Sequence, residues 1–482
     1  VTVQTQASGP DTASVPVART TIPAAPAGFT AALASAVLAF SMMQTLLVPA
    51  LPVLSTELGL DGATAGWILT AYLLSGAVAA PVIGALGDRH GHRRVLMIAM
   101  LVFVLGGAVA GLAGSLPVML AGRVLQGAAT ASFPLAVAIV RDRLVGRQQA
   151  VAIGWLSGTM GLGAGLALVG GGAVTDLLSW PWLFALGAGL GLLSVLLIAW
   201  RVPAGERGSA APQDWAGVGL LVLTLLPLLL VISQGARWGW TSPAVLALAG
   251  LALLGLIGLV LVERRLTHPL IDPVLVTDRA LAATNALTLF LGFVPYAFYV
   301  GLPVLLQSPA SGTGAIGQGL GVTATGAALL PGAVLVFLGG RFTPWLLGRL
   351  SGRAVAAIAL GAMCAGGIGI ALRPGSLLAV ILFFALVGLG NGIGFAVVAE
   401  LIAGHVDRAG LGAALGVNGV LRTVGSAFGT PVATLILTSI GIAAGGAPGE
   451  ETFRALFLIA AGVSAAGVAL AFAIPARRRV EP

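Results

Sequence analysis

Stretches of about 20 consecutive apolar residues, the length an α-helix needs to cross the hydrocarbon core of a bilayer, recur along almost the whole chain. They fall at 29–54, 63–85, 95–114, 117–140, 149–173, 182–200, 215–234 and 243–262, and resume after a polar interval at 280–306, 320–347, 354–372, 376–402, 410–439 and 453–475. Fourteen such runs leave little chain for anything but transmembrane helices. Only 8% of the 482 residues are charged and 58% are hydrophobic, whereas soluble domains carry roughly 25% charged residues. A water-soluble fold of this length could not cover its surface with so few charges. The chain reads as an all-α membrane protein whose main solvent is lipid.

Loop charge tests the count independently. All 24 basic residues are Arg, against 16 acidic ones, for a formal net charge of +8. With both termini on one side, that side collects Arg89, Arg93, Arg94, Arg141, Arg143, Arg147, Arg201, Arg207, Arg264, Arg265, Arg279, Arg349, Arg353, Arg408 and Arg477 to Arg479. The other side holds Glu57, Asp61, Asp176, Glu450 and Glu451, with only Arg237, Arg373 and Arg454 as basic residues. Short cytoplasmic loops carry the arginine excess, so both termini are expected in the cytoplasm. Absent Lys with abundant Ala, Gly and Arg suggests a GC-rich bacterial genome, hence a multi-pass protein of the bacterial inner membrane. Residues 1–28 lack an apolar core and read as a disordered cytoplasmic tail, not a signal peptide; 476–482 form a basic cytoplasmic tail. Because the arginines sit in short loops between spans, their role is topological and nucleic acid is not an expected partner. Cys364 is the only cysteine, which excludes intrachain disulfides and leaves it as a small filler.

A weak internal repeat divides the runs. Gly154 and Gly163, nine residues apart, recur as Gly416 and Gly425 at the same spacing, and Gly87 and Gly91 are echoed by Gly348 and Gly352. An offset of eight helices in fourteen implies a six-helix bundle at 29–200, a two-helix insert with its flanking loops at 201–279, and a second six-helix bundle at 280–475. Parallel six-helix repeats around a central site are a transporter architecture.

Three segments carry chemistry. Gly84-Ala-Leu-Gly87-Asp88-Arg89-His90-Gly91-His92-Arg93-Arg94 lies between the second and third runs, where glycines permit a sharp turn and close helix approach. Any short inside loop collects Arg, but a lone Asp between spaced glycines asks for a further reason. Arg123, followed by Gln126 and Gly127, lies in the fourth run. An Arg at mid-membrane costs roughly 2.5–3.5 kcal/mol on insertion scales, so it faces a cavity or a partner unless it snorkels to the interface. Gly154, Gly163, Gly171 and Gly172 make a ridge on the fifth run against which another helix can pack closely.

These segments resemble the major facilitator superfamily. The first is similar to motif A, G-x-L-x-D-R-x-G-x-R-R; the second resembles motif B; the third resembles the antiporter motif C, with Ala167 and Leu168 where Gly-Pro is usual. The resemblance covers the chain apart from its N-terminal tail, and the fourteen-helix count matches the drug:proton antiporter branch. Two more patches look like that branch, Arg237-Trp-Gly-Trp240-Thr-Ser-Pro243 and the stretch from Glu263 through His268 to Asp272. One departure is Met43, with Gln44 beside it, where that branch carries an Asp before Ala50-Leu51-Pro52. The resemblance implies the major facilitator fold. It also implies a gate in which Asp88, supported by Arg89 and Arg93, meets a helix N-terminus of the other half, where a carboxylate is favoured. Proton coupling through Arg123, and export of small amphipathic compounds against protons with the proton gradient as energy source and no cofactor, follow from the same resemblance.

Polar residues inside the spans are few. Gln44, Gln126, Asn285, Asn391, Asn418 and Arg422 are expected to line a substrate cavity, although an interhelical hydrogen bond explains each Asn as well. Glu400 is the one carboxylate well within an apolar run and is expected to be the buried group that carries the proton. Arg123, Arg422 and Arg341 outnumber it, which favours neutral or anionic amphiphiles over dications. The nearest alternative is a transporter of the same fold serving a physiological metabolite or lipid, since fold does not set substrate. An integral-membrane enzyme is a distant alternative, for it needs clustered His, Asp or Glu. His90 and His92 share one turn, His268 and His405 stand alone, and no metal-ligand or Walker A spacing occurs. The expected partners are a small-molecule substrate and the bilayer, and the expected state is a monomer.

Overall fold

The computed structural model describes residues 27–60, 62–204, 214–266, 278–309, 316–406, 411–439 and 448–474. The readings for residues 1–26 and 476–482, for Asp61, Arg207 and Arg408, and for the patch containing His268 and Asp272 lie outside the described residues.

All regular elements described are helices. The first apolar run is broken into α1 (Phe29–Thr45) and α2 (Leu51–Glu57); Pro52 opens α2, where the missing N–H of proline costs nothing. Next come α3 (Gly62–His90) and α4 (His92–Gly111). The fourth run forms α5 (Leu116–Gln126) and α6 (Ser132–Arg143), joined by a tighter 3-10 stretch at Gly127–Ala131. Then follow α7 (Gly146–Leu177) and α8 (Pro181–Arg201), and α9 (Trp215–Trp238) and α10 (Pro243–Glu263). The chain continues with α11 (Arg279–Gln307), α12 (Val322–Leu347) and α13 (Gly352–Leu372). It ends with α14 (Leu377–Ala403), α15 (Leu411–Ser439) and α16 (Glu450–Ala473). Among the described residues thirteen helical spans are long and apolar enough to cross a membrane, one of them running through α5 and α6, and α1 with α2 supplies the fourteenth crossing.

The crossings form two six-helix bundles plus an inserted pair. In the first bundle α1 packs on α7 and α8, and α4 on α5 and α8; in the second α11 packs on α15 and α16, and α13 on α14 and α16. The pairing is the same in both. Gly163 lets α7 sit on Ser41 of α1, and Gly425 lets α15 sit on the backbone of Leu289 in α11. Gly154 and Gly416 instead face open space, so the spacing of nine marks a repeat in which only the second glycine of each pair is a packing residue. The inserted helices α9 and α10 pair with each other, and α9 leans on α3 and α15. Apolar side chains project from the outside of the bundles, among them Leu196, Leu253 and Leu254 at 59%, 58% and 66% exposure. Only lipid can cover such a surface.

The bundles meet through α7 against α12 and α3 against α15. On α7 the contact runs from Gly158, facing Phe337, through Gly165, facing Ala333, to Gly172, where any Cβ would press on the backbone of Val322 and Thr323. This tight stretch lies toward the face opposite the arginine-rich loops, called here the far face. Small residues are what let two helix backbones approach so closely. Gly172→Val should therefore loosen this seam, since overpacking costs about 1–3 kcal/mol. In a Cys364→Ala background, a cysteine at Thr323 should react with a membrane-impermeant maleimide about fivefold faster or more; unchanged labelling would show that the seam does not rest on Gly172.

Candidate functional site: two gates and a polar interior

The turn at the arginine-rich face follows from one backbone angle. Helix α3 stops at His90 because Gly91 adopts φ 91°, a conformation side chains rarely accept. Gly87 packs against Leu135 and His92, whereas Gly84 faces open space. The His92 ring lies between two carboxylates, Nε2 at 2.9 Å from Asp88 and Nδ1 at 3.0 Å from Asp142. A carboxylate only accepts, so both ring nitrogens donate and His92 is in its imidazolium form. Arg93 donates through Nη2 to the Ala199 carbonyl of α8 at 2.9 Å, and Arg89 is exposed. These bonds stay within the first bundle. Among the described residues the partner of Asp88 is His92, and no bond from Asp88 to a helix N-terminus of the second bundle is described.

The far face shows the complementary arrangement. Asp176, at the end of α7, accepts a hydrogen bond through Oδ2 from the Thr323 backbone N–H at 2.9 Å, in the first turn of α12. Unsatisfied N–H groups and the positive end of the helix dipole both favour a carboxylate there. Gln307 of α11 donates to the Pro49 carbonyl between α1 and α2 at 3.1 Å. Both bonds cross between the bundles, so the physics expected of Asp88 at one face is in use by Asp176 at the other.

Between the faces lies a layer of polar and aromatic side chains. Arg123 is fully buried. It donates through Nε to the Ile68 carbonyl and through Nη1 to Gln126 Oε1, both at 2.8 Å, and its guanidinium stands 4.4 Å from the centre of the Tyr72 ring. Its Nη2 has no partner. It thus reaches neither water nor headgroups, and snorkelling is ruled out in this conformation. Gln126 turns toward Gly106 and Gly107 of α4, inside its own bundle, and so does not line a cavity between the bundles. Across the seam, half-buried Arg422 stands 5.1 Å from the Phe395 ring centre. Asn418 donates to Asn285 at 3.0 Å and to Thr288 at 2.6 Å, tying α15 to α11. Those two Asn residues hold the second bundle together rather than face a ligand. Asn391 is buried with Oδ1 unpartnered, and Gln44 is half-buried on α1.

Two charged residues sit away from this layer. Arg341 is exposed on α12 near Phe342 and Trp345, at 54% and 55% exposure, on the lipid side. Glu400 is exposed as well. It lines a cleft of about 350 Å³ with Thr343, Pro344, Leu347, Gly348 and Ala396. Its expected burial is not found because Glu400 lies on the outward face of the last turn of α14, whose other side packs through Ile402 and Leu401. Of the glycine ridge, Gly163, Gly171 and Gly172 make close contacts and Gly154 makes none. Tyr72, Tyr296 and Tyr299 were not singled out in the sequence, although they are its only three tyrosines and all sit mid-span, which was the available signal. Among the described residues no group of three His, Cys, Asp or Glu is placed to hold a metal ion.

Two like-paired helical bundles meeting at a polar seam that is sealed toward one face define a membrane transporter rather than an enzyme. The chain belongs to the Major Facilitator Superfamily, whose family model matches residues 33–430. It is 32% identical over 416 residues to the cephamycin export protein CmcT of Amycolatopsis lactamdurans, covering 83% of this chain and 82% of that protein. It is 24% identical over 372 residues to the multidrug transporter protein MdtP of Bacillus subtilis, covering 75% of this chain. The chain spans 66% of the length of MdtP, just under two thirds. Among solved structures, the human organic anion transporter MFSD10 superposes with a TM-score of 0.59 at 18% identity, over 92% of this chain and 98% of that one, a likeness of fold.

Loss of the far-face cap has a defined direction. Replacing a capping carboxylate by Ala costs about 0.5–2 kcal/mol, so Asp176→Ala should shift the population toward a far-face-open state while Asp176→Asn, which keeps an acceptor, shifts it less. Distances between spin labels placed on α7 and α12 would report this as a longer component growing in the order wild type, Asn, Ala. An identical distribution in all three would remove Asp176 from the gate.

Proposed function

We propose that this chain exports small amphipathic compounds in exchange for protons, by alternating access and with the proton gradient as its energy source. The observation that carries the reading is the asymmetry of the seam. The bundles are joined at the far face by glycine packing and the Asp176 cap, while at the arginine-rich face the described bonds of Asp88, His92 and Arg93 stay within the first bundle. With the arginine-rich face in the cytoplasm, this is an inward-facing carrier ready to load from the cytoplasm or the inner leaflet. The names of CmcT and MdtP, an antibiotic export protein and a multidrug transporter, support the same direction and class of cargo.

In this reading the two caps exchange. When the far-face seam opens, Asp176 leaves the α12 N-terminus and Asp88 leaves His92 for a helix N-terminus of the second bundle. Each cap is worth only about 0.5–2 kcal/mol, so the two states stay close in energy and modest differential binding of substrate or proton moves the balance. Glu400, at the cytoplasmic mouth of a cleft, is the carboxylate placed to exchange a proton with that side. Arg123 is a fixed cation deeper in the first bundle, and the lipid bilayer and substrate are the only partners the mechanism needs.

Purified full-length protein in proteoliposomes should release protons when an amphipathic substrate is added, and Glu400→Gln should abolish that release while leaving the melting temperature within a few degrees. Proton release that survives in Glu400→Gln would move the coupling role elsewhere. Substrate efflux that is unaffected by a protonophore would overturn the antiport reading itself.

A further inference from the structure

We propose that Arg422, Tyr296 and Arg123 form an anion subsite between the two bundles, which takes the carboxylate or equivalent acidic group of a small amphipathic substrate. The inference rests on the transporter reading above and adds the chemical class of its cargo.

The two bundles contribute in parallel. Tyr72 on α3 and Arg123 on α5 come from the first; Tyr296 and Tyr299 on α11 and Arg422 on α15 come from the second. Helices α11 and α15 are brought together by Gly292, which faces the Arg422 backbone, and Gly429, which faces Tyr296. Arg123 stands over the Tyr72 ring of α3, α3 packs on α15 with Gly66 against Thr434, and α15 meets Tyr296 through Gly429, with Tyr299 5.6 Å from Tyr296 between ring centres; one arginine from each bundle and all three tyrosines of the chain thus flank a single seam.

The hydrogen-bond account of this cluster is one-sided. Tyr296 Oη is buried without a partner, and so is Arg123 Nη2. The described contact of the Arg422 guanidinium is with the Phe395 ring. Each of these groups can donate, and a guanidinium only donates. No carboxylate accompanies them, because every described Asp and Glu lies in a loop or within four residues of a helix end. A buried donor left unmatched, such as Arg123 Nη2, costs about 1–3 kcal/mol, and two cations near one seam add mutual repulsion. An acidic group placed between them would relieve both costs at once, through charge-assisted bonds that are stronger than neutral ones. The half-buried ring of Phe395 beside Arg422 provides apolar surface for the rest of such a molecule. A lipophilic cation would meet the same two arginines and be repelled. Arg422 is only half-buried, which leaves the subsite a way in.

The test uses full-length protein in phosphatidylcholine nanodiscs and three probes that share one apolar body: pyrenebutyrate, pyrenebutanol and pyrenebutylamine. Fluorescence titration, corrected with empty nanodiscs, should rank affinity acid, then alcohol, then amine. Arg422→Gln should weaken pyrenebutyrate roughly ten- to a hundredfold with little change for pyrenebutanol, and Arg422→Lys should recover part of the loss. If Arg422→Gln does not fold, Tyr296→Phe serves in its place and should weaken the acid about fivefold without altering the alcohol. Equal affinity for acid and amine, or acid binding that is indifferent to these variants, would overturn the subsite. So would displacement of pyrenebutyrate by added phosphatidylglycerol, which would make the site a lipid headgroup site. Binding is read without any gradient. Intact acid binding with no efflux from proteoliposomes would sink the exporter reading alone, and efflux with no preference for acids would sink only the subsite.

Discussion

Hydrocarbon offers no hydrogen-bond partner, so each polar group within these spans is satisfied by the chain, by water in a crevice, or by cargo. The backbone meets the demand by being helical. Most buried hydroxyls meet it by folding back onto the preceding turn, as Thr70 does on Gly66, Thr284 on Ala280 and Ser464 on Ala460. Others link helices, as Thr45 of α1 does with the Ala164 carbonyl of α7. Against this background the few unmatched donors stand out, among them Arg123 Nη2 and Tyr296 Oη deep in the spans.

The same scarcity of polar groups explains how a lightly charged protein can switch. The described ion pairs each lie within one bundle. A single carboxylate on a helix N-terminus, backed by glycines that bring two backbones together, is a weak contact and therefore a reversible one. Asp176 occupies such a position at one face, while at the other the described partner of Asp88 is His92, itself bonded to Asp142. In the proposed cycle, the matching internal pairing of the bundles lets one rotate rigidly against the other without repacking either core.

Much of this was legible in the residues. The runs of apolar residues and the one-sided arginines predict the fourteen crossings, and the turn at Gly91 and the packing at Gly163, Gly171 and Gly172 lie where the motifs put them. Other readings depended on neighbours that spacing does not reveal. Gly84 and Gly154 belong to motif-like patterns yet touch nothing, Asn285 and Asn418 spend their amides on each other, and Glu400 emerges from the bundle it was expected to lie within. Asp176 looked like an ordinary loop charge, because its partner, the Thr323 backbone, lies 147 residues away along the chain.

What the sequence alone determined is the solvent of this protein, the number of its crossings and their helical type, and which loops share a face, since each follows from transfer energies of nearby residues summed over a short stretch. What only the tertiary structure decided is which polar groups meet. Whether Arg123 is a snorkelling anchor or a sealed cation, and whether three tyrosines are scattered or gathered at one seam, depends on how separate helices pack and turn about their axes. That rotation is set by contacts between residues far apart in the chain, where local hydrophobicity carries no information.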